Sequence, residues 1–234
     1  MGEIVGIIEA FAPKELAEAW DFCGFAVDVA REVKKIMLAL TVTDDVVRQA
    51  RDAGADMIIS HHSLFFVPFD YKDMVIYCAH TNLDRTQGGT TDALIKACHC
   101  EALAEAIQPA SFVRYVKLEI SVNDFIQKLK TISNNIRLVN NKNVSTLRKI
   151  AFCSGSGSDF IEEAAANGAD AFVTGDVKFH TALESEIVLF DIGHFESEVP
   201  VLKVLAGLLP REIEVIFAQE RSPFENISTI NHQL

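Results

Sequence analysis

Apolar and polar positions along the chain fall into a pattern that occurs twice. Ile36–Val42 is an apolar run of strand length, Val46–Ala53 reads as a helix, and Met57–Ser60 is a second apolar run. The same order returns in Ile150–Cys153, Phe160–Asn167 and Ala171–Thr174. At an offset of 114, Lys35 falls on Lys149, Ile36 on Ile150, Asp45 on Asp159, Gly54 on Gly168 and Asp56 on Asp170. Self-similarity at a fixed offset marks a repeated structural unit. Asp45 and Asp159 open the helical stretches, where a side-chain oxygen can cap free N–H groups. Gly54 and Gly168 fall where a helix end takes a residue at positive φ. Apolar strands alternating with helices predict parallel pairing, hence an α/β fold of two related βαβ-containing halves.

The offset extends further. His80-Thr-Asn-Leu-Asp84 maps onto His194-Phe-Glu-Ser-Glu198, each after a short apolar strand, Val75–Ala79 or Val188–Ile192. Ligand sites in parallel sheets lie beyond the carboxyl ends of the strands. The two halves are therefore expected to face a shared cleft at those ends. Elsewhere, Ile4–Phe11 and Pro13–Trp20 suit two short helices, with Pro at the first turn of the second. Phe112–Ile120 alternates loosely, Ser121–Ile132 looks helical, and the Asn-rich Asn134–Asn143 suits a loop or hairpin. The tail from Arg221 to Leu234 has little periodicity. The expected divisions are an N-terminal α/β half with the first repeat (1–111), an intervening β/α segment (112–148), and the second repeat with the C-terminal segment (149–234).

Composition narrows the class. Of 234 residues, 49% are hydrophobic, enough for one large domain or two modest ones. The formal charge of −12 removes the counterion release that drives nucleic-acid binding, and no dense Lys/Arg run offsets it. Five irregularly spaced cysteines form no disulfide framework, which points to a reducing compartment. Glu3 and Glu9 interrupt the first apolar stretch, unlike a signal peptide. No apolar run reaches the roughly 18–20 residues of a membrane span. A cytoplasmic, soluble protein is expected.

The candidate chemistry sits just past the strands. His61 and His62 follow Met57–Ser60; because successive strand side chains point to opposite faces, they serve one site only by leaving the strand and turning. Taken alone, the pair equally suits two partly exposed loop histidines, and Asp84 a helix-start or turn aspartate. His194 and Glu198, at i and i+4, share a helix face and can chelate together, or form a common surface pair. Together, three imidazoles and two carboxylates at strand ends make a nitrogen–oxygen donor set suited to Zn, Fe, Mn or Co. Five side chains cannot fill two coordination spheres without bridging or water, and open positions mark a catalytic rather than a structural site. Two divalent ions per chain are expected, with His61 and His62 on different ions. His80, by its repeat relation to His194, is a candidate for proton transfer, against the reading of a hydrogen-bonded core histidine. Lys178 and His180 suit an anionic substrate or plain exposure. Cys98-His99-Cys100 is expected to continue the Thr91–Ala97 helix, where i and i+2 diverge, and not to bind metal.

These residues carry a resemblance. Ala19-Trp20-Asp21, Ile58-Ile59-Ser60-His61-His62, Ala79-His80-Thr81-Asn82-Leu83-Asp84, Thr174-Gly175-Asp176-Val177-Lys178-Phe179-His180 and Gly193-His194-Phe195-Glu196-Ser197-Glu198 resemble the GTP cyclohydrolase 1 type 2 homologues, an NGG-interacting-factor-like family. The resemblance implies dinuclear metal ligands at His61, His62, Asp84, His194 and Glu198, and a toroidal homohexamer with its metal sites facing a central cavity. Three departures stand out: Ser63 where the family usually has Pro, Leu40-Thr41 where it often has Asp, and a His62–His80 linker short by roughly one helix and loop. The resemblance also implies a hydrolase acting on a nucleotide or related small molecule. No Gly-x-x-x-x-Gly-Lys phosphate loop accompanies it. The alternative is a non-enzymatic metal-storing, metal-delivering or scaffolding oligomer.

Overall fold

The computed structural model describes residues 1–100 and 111–224. The end of the first expected division (101–110) and most of the aperiodic tail (225–234) lie outside the described residues. In chain order the strands are β1 Gly24–Val27, β2 Lys35–Ala39, β3 Met57–Ser60, β4 Val75–Cys78, β5 Arg114–Ser121, β6 Arg137–Val139, β7 Thr146–Phe152, β8 Ala171–Thr174, β9 Val188–Asp191 and β10 Glu214–Phe217. The α-helices are α1 Gly2–Phe11, α2 Asp44–Asp52, α3 Thr81–Arg85, α4 Thr90–Ala97, α5 Val122–Leu129, α6 Ile161–Ala166, α7 Phe179–Glu184, α8 His194–Glu198 and α9 Val201–Leu208.

The chain divides into two compact units, one of residues 1–89 with 201–220, the other of 90–200 with 221–234. Each holds a five-stranded sheet of mixed α/β architecture. The first has the order β1-β4-β3-β2-β10 and the second β5-β7-β8-β9-β6. In the first unit β2, β3 and β4 are parallel, and in the second β7, β8 and β9 repeat that arrangement. Strands β3, β4, β8 and β9 are buried along their whole length. Continuous burial fits parallel strands covered on both faces. In the first unit α2 contributes Val46, Val47 and Ala50 to one cluster of apolar side chains. In the second, Phe125 of α5 and Leu94 of α4 pack on one face of the sheet, and Ile161 and Ala164 of α6 belong to a separate cluster.

The repeat reaches individual hydrogen bonds. One carboxylate oxygen of Asp56 accepts the N–H groups of Lys34 and Lys35 at 2.9 and 3.0 Å. Asp170 does the same for Arg148 and Lys149 at 2.7 and 3.0 Å. Lys35 Nζ donates to Ala53 O and Lys149 Nζ to Asn167 O, both at 3.1 Å. Each helix ends in a Schellman turn. Gly54 N–H donates to Arg51 O and Ala55 N–H to Ala50 O; Gly168 donates to Ala165 O and Ala169 to Ala164 O. The two glycines have φ of 65° and 77°.

Local departures from the sequence reading have physical reasons. Thr43, not Asp45, caps α2, its hydroxyl accepting from Val46 N–H, and Asp44 and Asp45 occupy the first turn. Carboxylates there still favour the positive helix end. Asp159 lies in a 3₁₀ turn, Ser158–Phe160, ahead of α6. Pro13–Trp20 is not a helix beyond the 3₁₀ turn Lys14–Leu16. Its backbone is held by tertiary bonds instead, with Glu18 N–H donating to Thr81 Oγ1. The Asn-rich segment contains β6, an edge strand antiparallel to β9 that is largely exposed and, at three residues, too short to show a strand period. Helix α4 stops at Ala97. His99 takes the left-handed C′ position, φ 54°, and Cys100 N–H donates to Ile95 O. Cys98 and Cys100 are therefore not helical, and both are buried in the apolar core.

The offset of 114 also slips within the repeat. Met57 pairs with Val75, but Ala171 pairs with Val188, one residue earlier than the offset requires. Ala79 N–H donates to Ser60 O, and its counterpart is Ile192 N–H to Thr174 O. His80 follows Ala79 directly. Before His194 the chain inserts Gly193, φ 92°, which restores the offset.

Candidate functional site

In the first unit, β3 delivers His61 and His62 and the start of α3 delivers His80. The chain does not turn sharply away from the sheet. His61 and His62 N–H groups still donate to Ala39 O and Leu40 O at 3.2 and 2.8 Å. The rings nevertheless converge. Centroids of His61 and His62 are 5.2 Å apart with planes tilted by 42°, and His80 lies 5.2 Å from His61 and 5.8 Å from His62. One ring nitrogen from each of the three lies within 4.8 Å of the others.

Each of the three rings has its Nδ1 engaged by a different partner. His61 Nδ1 meets Ala79 O at 3.0 Å, His62 Nδ1 meets Thr41 Oγ1 at 2.6 Å, and His80 Nδ1 meets Asp21 Oδ1 at 2.9 Å. Hydrogen bonding at one ring nitrogen fixes the tautomer and presents the other to a metal. Asp84, on α3, brings Oδ1 to 3.4 Å from His61 Nε2. The donor set of this unit is therefore three imidazoles and a carboxylate, and it fits a borderline divalent ion.

Asp21 anchors this arrangement. Its side chain is wholly buried. Oδ2 accepts from Thr81 N–H and Oγ1 at 3.0 and 2.6 Å, and Oδ1 from Ser63 Oγ at 2.7 Å. Burial pushes its pKa up, but the hydrogen bonds from Thr81, His80 and Ser63 outweigh that and hold it well below the usual carboxylate range. Glu220 plays a related part behind His62. Its carboxylate accepts Leu40 N–H at 2.6 Å and Thr41 N–H at 2.9 Å, fixing the residue that bonds His62.

In the second unit His194 and Glu198 are the first and last residues of α8, with His194 Nε2 to Glu198 Oε2 at 3.0 Å. His194 Nδ1 meets Asp176 Oδ2 at 2.7 Å. The hydrogen bond that the His194 ring donates to Glu198, opposed by burial and assisted by Asp176, raises the His194 pKa from 6.5 to about 9. Backbone here is built for close approach. A Cβ at Gly155 would come within 2.2 Å of Glu198 Oε1, and one at Gly175 within 2.7 Å of His194 N. Asp176 itself holds a left-handed φ of 56°, a conformation that costs energy outside glycine and recurs at functional sites. Lys178 and His180 are exposed.

Sequence reasoning found the five ligand candidates and His80. It gave no role to Asp21, Thr41, Asp176, Gly155 or Glu220. Asp21 and Asp176 lie inside quoted motifs, so the signal existed; Glu220 reaches Thr41 across 179 residues and left none.

The pattern for Duf34/NIF3 (NGG1p interacting factor 3) matches residues 1–223. A GTP cyclohydrolase 1 type 2 homolog of Clostridium perfringens is 32% identical over 97% of this chain and 99% of its own length. Another from Methanocaldococcus jannaschii is 30% identical, covering 91% of this chain and 96% of its own. Among solved structures, reduced HcgD from Methanocaldococcus jannaschii aligns with a TM-score of 0.80 at 30% identity, covering 94% of this chain and 97% of that one. Among the described residues no helix is long and apolar enough to cross a membrane.

Proposed function

The chain belongs to the Duf34/NIF3 family, and on that premise we propose that it is a dinuclear metal-dependent hydrolase acting on a nucleotide or related small molecule. Its proposed ligands are His61, His62, Asp84, His194 and Glu198. The observation that carries this reading is the pair of converging imidazoles, His61 and His62, whose Nδ1 atoms are tied by a carbonyl and a hydroxyl, with Asp84 Oδ1 3.4 Å from His61 Nε2. Histidines that ligate metals almost always have such a partner on the other nitrogen.

When bound, divalent ions lower the pKa of a coordinated water and clamp an attacking or leaving oxygen. The protein's own groups do the rest. Asp21 holds the His80 ring with its other nitrogen toward the cluster, where it can hold or pass a proton. Thr41 and Ala79 fix the His62 and His61 rings. Gly155 lets the chain close against Glu198. The names of the relatives support a purine nucleotide as substrate, while the chain lacks a phosphate-loop motif.

Turnover of a nucleotide panel by metal-replete, chelated and reloaded protein tests the activity. Hydrolysis that disappears on chelation and returns on reloading is expected. Retention of both ions with no nucleotide turned over would replace the hydrolase with a metal-storing or metal-delivering role.

A further inference from the structure

A cavity of about 510 Å³ opens in the second unit, with His194 in its wall. Cavities of this size hold small organic ligands. The antiparallel pairing of β6 with β9 sets Arg137 opposite Asp191. The guanidinium bonds that carboxylate and, at 3.2 Å, Val177 O. Asp191, 4% exposed, also accepts N–H groups of Val177 and Gly193. The charge of Arg137 is thus already balanced by a buried carboxylate.

Two further carboxylates line the cavity. Asp176 is placed by its left-handed backbone, and Glu196 folds over Gly193, where a Cβ would come within 2.2 Å of Glu196 Oε2. The apolar part of the wall includes Ile136 and Phe224, the latter 72% exposed. The lining therefore combines apolar residues with three carboxylates, Asp176, Asp191 and Glu196, against two cations, Arg137 paired with Asp191 and, in the metal-free chain, His194 paired with Asp176. With carboxylates outnumbering cations a phosphate group is disfavoured here, whereas N–H donors meet charged acceptors such as Glu196, the stronger kind of hydrogen bond.

We propose that this cavity receives the flat, nitrogen-bearing ring of a small substrate, cationic or rich in N–H donors, with Glu196 and Phe224 setting that preference. The inference rests on the small-molecule reading above and names the part of such a molecule that this unit holds. The ring then lies beside His194.

Calorimetric titration of the full chain, metal-loaded and metal-stripped, tests it. The probes are benzamidine, benzoate (a similar flat ring of opposite charge) and, for the stripped protein, inorganic triphosphate. Benzamidine is expected to saturate one site per chain and to bind at least about tenfold more tightly than benzoate. Glu196→Gln and Phe224→Ala should each weaken benzamidine about tenfold while leaving circular dichroism unchanged. Benzoate or triphosphate binding the stripped chain as tightly as benzamidine would overturn the proposal, as would unchanged benzamidine affinity in Glu196→Gln. Metal content of the same samples separates the two readings. A chain that binds benzamidine but no metal keeps the cavity assignment and loses the hydrolase; one with metal but no preference for benzamidine does the reverse.

Discussion

At the scale of single residues, the candidate site depends on groups that orient other groups. Asp21 gathers six donors, from Phe22, Cys23, Ser63, His80 and twice from Thr81, onto one buried carboxylate. Asp21→Asn would turn an amide N–H₂ toward donors and should cost about 1–3 kcal/mol, read from urea denaturation. A variant as stable as the wild type would show that the network is dispensable. His194 offers a second test. Its metal-free pKa is raised above 6.5, to about 9. Its contribution to stability is therefore complete below about pH 6.5 and is lost as pH rises through about 9. The ring is 34% exposed, so solvent screening reduces the effect. NMR titration of the metal-free protein should find His194 titrating well above 6.5, and Glu198→Gln should bring it down; titration at or below 6.5 in the wild type would contradict the pairing. A metal takes the neutral imidazole, so metal uptake between those pH values should release a proton. The ligand candidates were legible because His and acid residues recur at strand ends. The orienting residues were not, since a buried Asp and a surface Asp look alike until the fold brings Thr81 and Ser63 to one of them.

At the scale of elements, the repeat was legible because its helix ends need special residues. Gly54 and Gly168 stand at equivalent left-handed positions. Gly54→Ala and Gly168→Ala should each destabilise the protein by about 1–2 kcal/mol, and by similar amounts, in denaturant unfolding. Thr43→Ala should cost about 1 kcal/mol through loss of the α2 cap. A neutral Thr43→Ala would return the cap to Asp45, as the sequence suggested. What was not legible were the strands without a period. Strand β6 is short and exposed; β1 and β10 join the sheet from segments with no repeat partner. The slip at β9 was hidden for a different reason: a residue lost before the strand is regained at Gly193, so motif spacing alone shows no change.

At the scale of the whole molecule, residues 201–220 follow the second repeat in sequence yet belong to the first compact unit. Sequence divisions drawn from the repeat contain no signal for such a return. Between His62 and His80, Phe65, Phe66 and Phe69 are exposed, at 71, 79 and 81%. Single exposed apolar side chains are ordinary, but three on one segment suit a buried contact in an assembly. A homo-oligomer, a hexamer by family resemblance, is expected, and light scattering that finds a monomer at micromolar concentration would exclude it. The proposed function requires two divalent ions per chain. Metal content per chain, measured for metal-replete wild type and for Glu198→Ala, tests it most directly. The account predicts about two ions per wild-type chain and a clear loss in the variant, with the fold retained. Fewer than one ion in the wild type, or unchanged stoichiometry in Glu198→Ala, would contradict it.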